Sequence, residues 1–160
     1  MADSIPYIFQ AIQNSPKKNR INILRHMVNG PPANDQVKQI LIHAFHPNIK
    51  FLLPPGTPPY VFRGTPEGFP MTLYPEVRKF YLFCEGGGAN IDGMKREQIF
   101  IELLETIHPD EAQVVIAMKD KKFTELYSNI TYDLVRQALP EIKLPAPEAK
   151  KPKGKKSQKT

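Results

Sequence analysis

The residues best equipped for chemistry in this chain are basic and clustered. Lys119, Lys121 and Lys122 run ahead of a polar turn that carries Ser128, Asn129 and Thr131. A second cluster, Lys17, Lys18 and Arg20, crowds the opening turns of a predicted helix. Ammonium and guanidinium groups beside hydroxyls, amides and free backbone N–H groups suit one kind of ligand above all, a phosphate. The two clusters differ in what the helix dipole makes of them. Cations at a helix start are disfavoured by a few tenths of a kcal/mol each, so Lys17, Lys18 and Arg20 stand where stability alone would not put them. A bound phosphate would account for them, and so would surface lysines tolerated because the penalty is small and screened by salt. Lys119, Lys121 and Lys122 end a predicted helix, where cations are favoured anyway. Their interest lies in the turn that follows, because a helix, a polar turn and a helix N-terminus grip a DNA backbone without reading bases.

The end of the chain adds a third basic element. "PEAKKPKGKKSQKT" carries Lys150, Lys151, Lys153, Lys155, Lys156 and Lys159 against Glu148, which accounts for five of the six net positive charges. It holds no apolar side chain larger than alanine, so it cannot offset its ordering entropy, and residues 146–160 are predicted to be disordered. Such an arm contributes salt-sensitive, sequence-independent affinity for nucleic acid. A solvated tail that aids solubility has the same composition, and the two readings stand side by side.

Other chemistries find less. His43 and His46 form an HxxH pair, but two ligands are too few for zinc, and neither His26, His108 nor Cys84 completes a known spacing. "EGGGAN" lacks the lysine and the serine or threonine of a phosphate loop and reads as a helix-ending turn. Glu97, Glu102 and Glu105 read as a solvated helix face, and Asp110 and Glu111 sit in a first helical turn, where acids belong. Cys84, the single cysteine, lies among aromatics in "FYLFCEGGG" and reads as a buried structural thiol. No catalytic residue, metal or cofactor is expected, so the chain is read as a binding protein and not an enzyme. No apolar run reaches the roughly 18 residues that span a bilayer, and "MADSIPYIFQ" lacks a secretory layout; an intracellular protein without membrane contact is expected.

The elements that must position the basic clusters are helices. At 160 residues, 41% hydrophobic and 24% charged, the chain has the size and balance of one globular domain, expected over residues 1–145. Helices are predicted at 5–13 and at 16–29, the second with Ser15 as cap, Pro16 at its first position and Gly30 as stop. A third starts near Asn34 with Val37, Ile40, Leu41, Ala44 and Phe45 on one face. Residues 47–72 carry seven prolines and read as a long irregular belt packed on the bundle. A fourth helix over 73–85 is expected to bury Val77, Phe80, Tyr81 and Cys84. Asp92 caps a fifth, Pro109 opens a sixth, and Thr131 caps a seventh that turns Leu134, Val135, Ala138 and Leu139 inward. The fold class is therefore all-α, a compact bundle of six or seven short helices with a proline-rich loop and a basic tail.

The order of these segments resembles the N-terminal DNA-binding domain of ATP-dependent DNA ligases, especially the short form in tailed bacteriophages. The residues concerned are "SPKKNRINILRHM", "QVKQILIHAFHPNIKFLLPP" and "MKDKKFTELYSNITYDLVRQALPEI". The chain also resembles, more closely and over most of residues 5–142, a family of small uncharacterised proteins of marine T-even-like phages. That likeness rests on "HPNIKFLLP", "KREQIFIELLETIHPDEA" and "ALPEI". The resemblance implies a helical domain in the host cytoplasm that grips double-stranded or nicked DNA through Lys17, Lys18, Lys119, Lys121, Lys122, Asn129 and Thr131. It also leaves room for association with the virion. The ligase nucleophile is missing: Asp92-Gly93 has Asn90 where the lysine of the ligase motif belongs, so no ligase chemistry is implied. The expected function is that of a non-catalytic, sequence-nonspecific DNA-binding accessory protein. The rival is an adaptor whose proline belt, through Tyr60, Phe62 and Phe69, docks a phage replication, transcription or virion protein.

Overall fold

A computed structural model describes residues 4–31, 33–61, 73–86 and 91–145. Lys150, Lys151, Lys153, Lys155 and Lys156 of the tail, and Phe62 and Phe69 of the belt, lie outside the described residues.

The chain is all-α, with α1 (Ile5–Gln13), α2 (Lys17–Asn29), α3 (Asp35–Phe45), α4 (Leu73–Glu76), α5 (Gly93–Thr106), α6 (Pro109–Lys119), α7 (Phe123–Leu126) and α8 (Tyr132–Ala138). Two 3-10 segments, Val77–Phe83 and Pro140–Ile142, complete it. Helices α1, α3, α5, α6 and α8 start where a side chain satisfies an otherwise orphan N–H. Ser4 accepts from the Tyr7 N–H at 3.2 Å, Asn34 from Val37 at 3.1 Å, Asp92 from Lys95 at 2.8 Å and Thr131 from Leu134 at 3.1 Å. At α6 the His108 ring accepts from the Asp110 N–H, while Glu111 reaches back to the His108 N–H in a capping box. Glu111 is fully buried and also accepts from the Leu73 N–H at 3.1 Å, so one carboxylate joins the starts of α4 and α6.

The apolar stripes close on one core. Ile5, Phe9 and Ile12 of α1, Leu24 and Val28 of α2, Val37, Ile40 and Leu41 of α3, and Val114, Val115 and Met118 of α6 are all completely or almost completely buried. Phe123 of the short α7 stacks edge-on to Phe9 and Phe45, with ring centroids 5.0 and 5.7 Å away. The principal packings are α2 on α8 and α3 on α6. No helix among the described residues is long and apolar enough to cross a membrane.

Two details depart from the sequence reading. Ser15 does not cap α2: it is buried, and its Oγ donates to the Ile12 carbonyl at 2.7 Å, closing α1, while Pro16 takes the cap position without a side-chain bond. Residues 73–85 are not one α-helix. After a single turn the chain tightens to 3-10 geometry, and the buried side chains become Val77, Phe80 and Phe83, three residues apart as three residues per turn require. Tyr81 is thereby turned outward, 56% exposed, although it was expected inside. The cause is tertiary. Phe51 and Cys84 form an isolated antiparallel bridge, with the Leu52 N–H on Phe83 O at 2.7 Å and the Glu85 N–H on Lys50 O at 2.9 Å, which draws the end of the segment out straight. Of the described part of the proline belt, Phe51, Leu53 and Tyr60 pack against the core, so Tyr60 is not the open docking residue of the adaptor reading, while Leu52 and Val61 are 38% and 70% exposed. Cys84 is buried as expected, and burial pushes its thiol up to about 11 against a smaller opposing effect of Lys121.

Candidate nucleic-acid interface

Of the basic residues read from the sequence, Lys119 is the one that the fold takes inside. Its side chain is 2% exposed, and its Nζ donates to Pro54 O at 2.8 Å, Gly56 O at 3.0 Å and Asp120 Oδ1 at 2.5 Å. An ammonium has three donors and all three are used. Asp120 in turn accepts the Gly56 N–H at 3.2 Å. Lys119 thus fastens the belt to α6 and presents no proton to a ligand.

Lys121 is a more open case. It is the left-handed residue, φ 60°, that ends α6: its N–H bonds Met118 O and the N–H of Lys122 bonds Ala117 O, the double bond pattern of a Schellman stop usually given to glycine. Here Nζ donates to His43 O at 2.7 Å and His46 O at 3.1 Å, covering the bare carbonyl end of α3, and lies 5.7 Å from the Phe51 ring centroid. One donor remains. His43, whose Nδ1 donates to Gln39 O at 2.7 Å, packs against Phe51 and Phe80. Burial holds its pKa below the ordinary value, partly opposed by that hydrogen bond and aided by the Lys121 charge. His46 accepts the Asn48 N–H, and no group of three or more metal-ligating side chains gathers among the described residues.

The polar turn is bound to α1. Gln13 donates from Nε2 to Ser128 Oγ at 3.1 Å and accepts the Asn129 N–H at 2.8 Å, and Asn129 Nδ2 donates to Gln13 O at 2.8 Å. Asn129 and Thr131 therefore spend their side chains on helix ends, and the turn is rigid. The same bonds hold this turn against the C-terminal end of α1, four residues before Lys17 in sequence. Lys17 and Lys18 are exposed and without a hydrogen-bond or ion-pair partner among the described residues. Arg20 is half-buried and folded back, donating to Ser15 O at 2.6 Å.

A groove of about 650 Å³ opens beside that turn, between the end of α3, the start of the belt and the turn from α6 to α7. Phe45, Phe51 and Tyr132 supply aromatic surface, and Lys50, Lys121 and Lys122 stand at its exposed edge. Its lining holds four lysines and one acid, Asp120, which is already paired with Lys119. Lys50 was not singled out by the sequence reading, since it is a lone lysine in an apolar stretch; only the bridge that aligns residues 50–52 with 83–85 fixes it at this edge. Glu125 and Asp133, next in sequence to the lining residues Thr124 and Tyr132, are exposed, and further acids gather on α5. Asp92, Glu97 and Glu102 line an exposed face of α5 with Glu105, which binds the Val61 N–H.

Residues 8–125 match the model of the Family of unknown function (DUF6433), and the chain belongs to that family. No curated protein and no solved structure matches the chain.

Proposed function

We propose that this member of a family of unknown function is a non-catalytic, sequence-nonspecific DNA-binding accessory protein of a bacteriophage, akin to a stand-alone ligase DNA-binding domain. The observation that carries the reading is a set of lysines left without partners. Lys17 and Lys18 at the start of α2, and Lys50 and Lys122 at the groove, are exposed lysines with no side-chain partner among the described residues. Glu125 and the Arg136-paired Asp133 are exposed on α7 and α8, while Asp92, Glu97 and Glu102 lie together on the α5 face. Lys119, Ser128, Asn129 and Thr131 support this surface by fixing its shape, and Lys121 by holding α3 and offering one further proton. The mechanism is neutralisation of phosphates and release of their counterions. About four lysine contacts on duplex DNA give a slope of log K against log salt near −3.5.

The test is fluorescence anisotropy with intact, nicked and single-stranded DNA across a salt series, using the full chain, a chain ending at Pro145, and Lys17→Glu/Lys18→Glu. Binding that survives truncation with a shallower slope, and weakens in the double variant, supports the reading. A chain ending at Pro145 that binds no DNA overturns it for the helical domain. One observation favours the adaptor reading instead: Tyr81 and Leu52, on the two segments joined by the bridge, are 56% and 38% exposed and offer a small apolar surface to a protein partner. Binding to that partner would show little salt dependence.

A further inference from the structure

The groove beside the α6–α7 turn combines features that phosphate binding alone does not call for. Phosphates need cations and N–H donors, yet most of this groove is apolar: Phe45, Ile49, Phe51, Leu53 and Tyr132 are all partly exposed in or around it. An apolar floor left open on a strongly cationic face disfavours two occupants at once. A basic peptide is repelled by Lys50, Lys121 and Lys122. A regular duplex presents its phosphates outward and its bases stacked away, so it leaves the floor wet.

An unpaired nucleotide uses both parts. Its base has an apolar face that stacks on aromatic rings, and its flanking phosphates carry the charge that the lysines complement. The volume, about 650 Å³, lies in the range of pockets that take small organic ligands. The lysines are also placed at different points of the groove: Lys50 on the belt segment, Lys121 and Lys122 on the α6–α7 turn. We propose that this groove takes an unpaired nucleotide of a DNA strand, its base against Phe51 and Tyr132 and its adjoining phosphates on Lys50, Lys121 and Lys122. The inference rests on the DNA-binding reading and narrows it: the preferred substrate is single-stranded DNA, or the single-stranded part of a gap or flap, with the 128–131 end of the bundle beside any adjoining duplex.

The experiment compares three labelled oligonucleotides of about 12 nucleotides per strand: a normal single strand, the same strand with abasic sites and so with the same phosphates, and a blunt duplex. Each is titrated with the full chain and with Lys50→Glu/Lys122→Glu, both exposed positions whose side chains make no bond among the described residues. Tyr132→Leu, checked for its helical circular dichroism, serves as the aromatic variant. The expected result is a normal strand bound about tenfold or more tighter than the abasic strand. Charge reversal should then abolish binding of the normal strand, and Tyr132→Leu should shrink the abasic difference even if it leaves overall affinity. A third variant, Lys17→Glu/Lys18→Glu, should weaken every DNA while keeping the preference for bases.

Abasic and normal strands bound equally well would overturn the inference, as would displacement of the normal strand by poly-glutamate of matched charge at equal concentration. Loss of binding in Lys17→Glu/Lys18→Glu with none in Lys50→Glu/Lys122→Glu would also overturn it, while leaving the DNA-binding reading in place. Failure of the wild-type chain to bind any of the three DNAs would remove both.

Discussion

Replacing Lys119 with methionine separates the two tasks a lysine at this position can have. Methionine keeps the aliphatic stem and about the same volume in the core, and it removes only the charged head. What is left behind is Asp120, 11% exposed at its side chain, and the carbonyls of Pro54 and Gly56, all without their shared donor. Breaking a buried ion pair by removing one member costs about 3–5 kcal/mol. The lower end applies here, about 3 kcal/mol, because Asp120 keeps some water and the Gly56 N–H. For a folded part of this size that is a fall in Tm of roughly 10 °C. Urea unfolding followed by circular dichroism measures it, and the loss should persist in about 0.5 M salt because buried pairs are little screened. Lys119→Met/Asp120→Asn should recover part of the loss, since it leaves no uncompensated charge. DNA affinity, measured well below the lowered Tm, should be unchanged. A variant as stable as wild type that binds DNA less well would refute this account and put Lys119 among the phosphate contacts.

Three further outcomes follow from the same geometry. His43 has a folded-state pKa below its ordinary value, so the unfolded chain takes up the proton more readily. Stability is therefore complete above about pH 6.5 and is lost as pH falls through the folded value; a series of urea titrations should show that decline in wild type and a flatter curve in His43→Leu, and identical curves would count against it. The Cys84 thiol, pushed up to about 11, should react slowly with a disulfide reagent at about pH 8 and quickly once urea unfolds the chain; equal rates would mean that the thiol is accessible. At the left-handed end of α6, Lys121→Gly relieves backbone strain that Lys121→Met retains, while both lose the bonds to His43 O and His46 O. The glycine variant should be the more stable by about 1 kcal/mol, measured by urea unfolding, and the reverse order would deny that the lysine is held there at a conformational cost.

Much of the fold was legible because its signals are local. Caps such as Asn34, Asp92 and Thr131, the proline that opens α6, and the stripes of α3 and α8 each act within one or two turns, and the chain obeys them. The errors arose where a distant segment intervened. Nothing within residues 73–85 shows that residues 50–52 will bridge to Cys84, yet that pairing draws the segment into 3-10 geometry and turns Tyr81 out. Residues Val77, Phe80 and Phe83 did carry the three-residue period, but it competes with the helical set Val77, Phe80, Tyr81 and Cys84, and composition does not choose between them. Ser15 shows the same limit at a single side chain: its hydroxyl can serve α1 or α2, and the packing of Ile12 decides.

The basic residues show why counting charge locates a surface less well than it appears to. Cations near helix C-termini are favoured because bare carbonyls await them, and the fold uses them in that way repeatedly. Lys121 covers the end of α3, Arg25 donates to Ala138 O at 3.0 Å and Gln137 O at 3.2 Å at the end of α8, and Lys119 holds two carbonyls of the belt. A lysine so placed has found acceptors within the chain; Lys119 has no donor left for a phosphate, and Lys121 has one. Lys17 and Lys18 are the opposite case. They sit at the helix end with N–H groups instead of carbonyls, so nothing in their own helix can pair with them, and they remain exposed. The same dipole argument that makes them slightly costly to the fold therefore leaves them free for an external anion. That is why the α2 start and the groove lysines Lys50 and Lys122, with the one donor Lys121 keeps, and not Lys119, are where DNA binding should be sought.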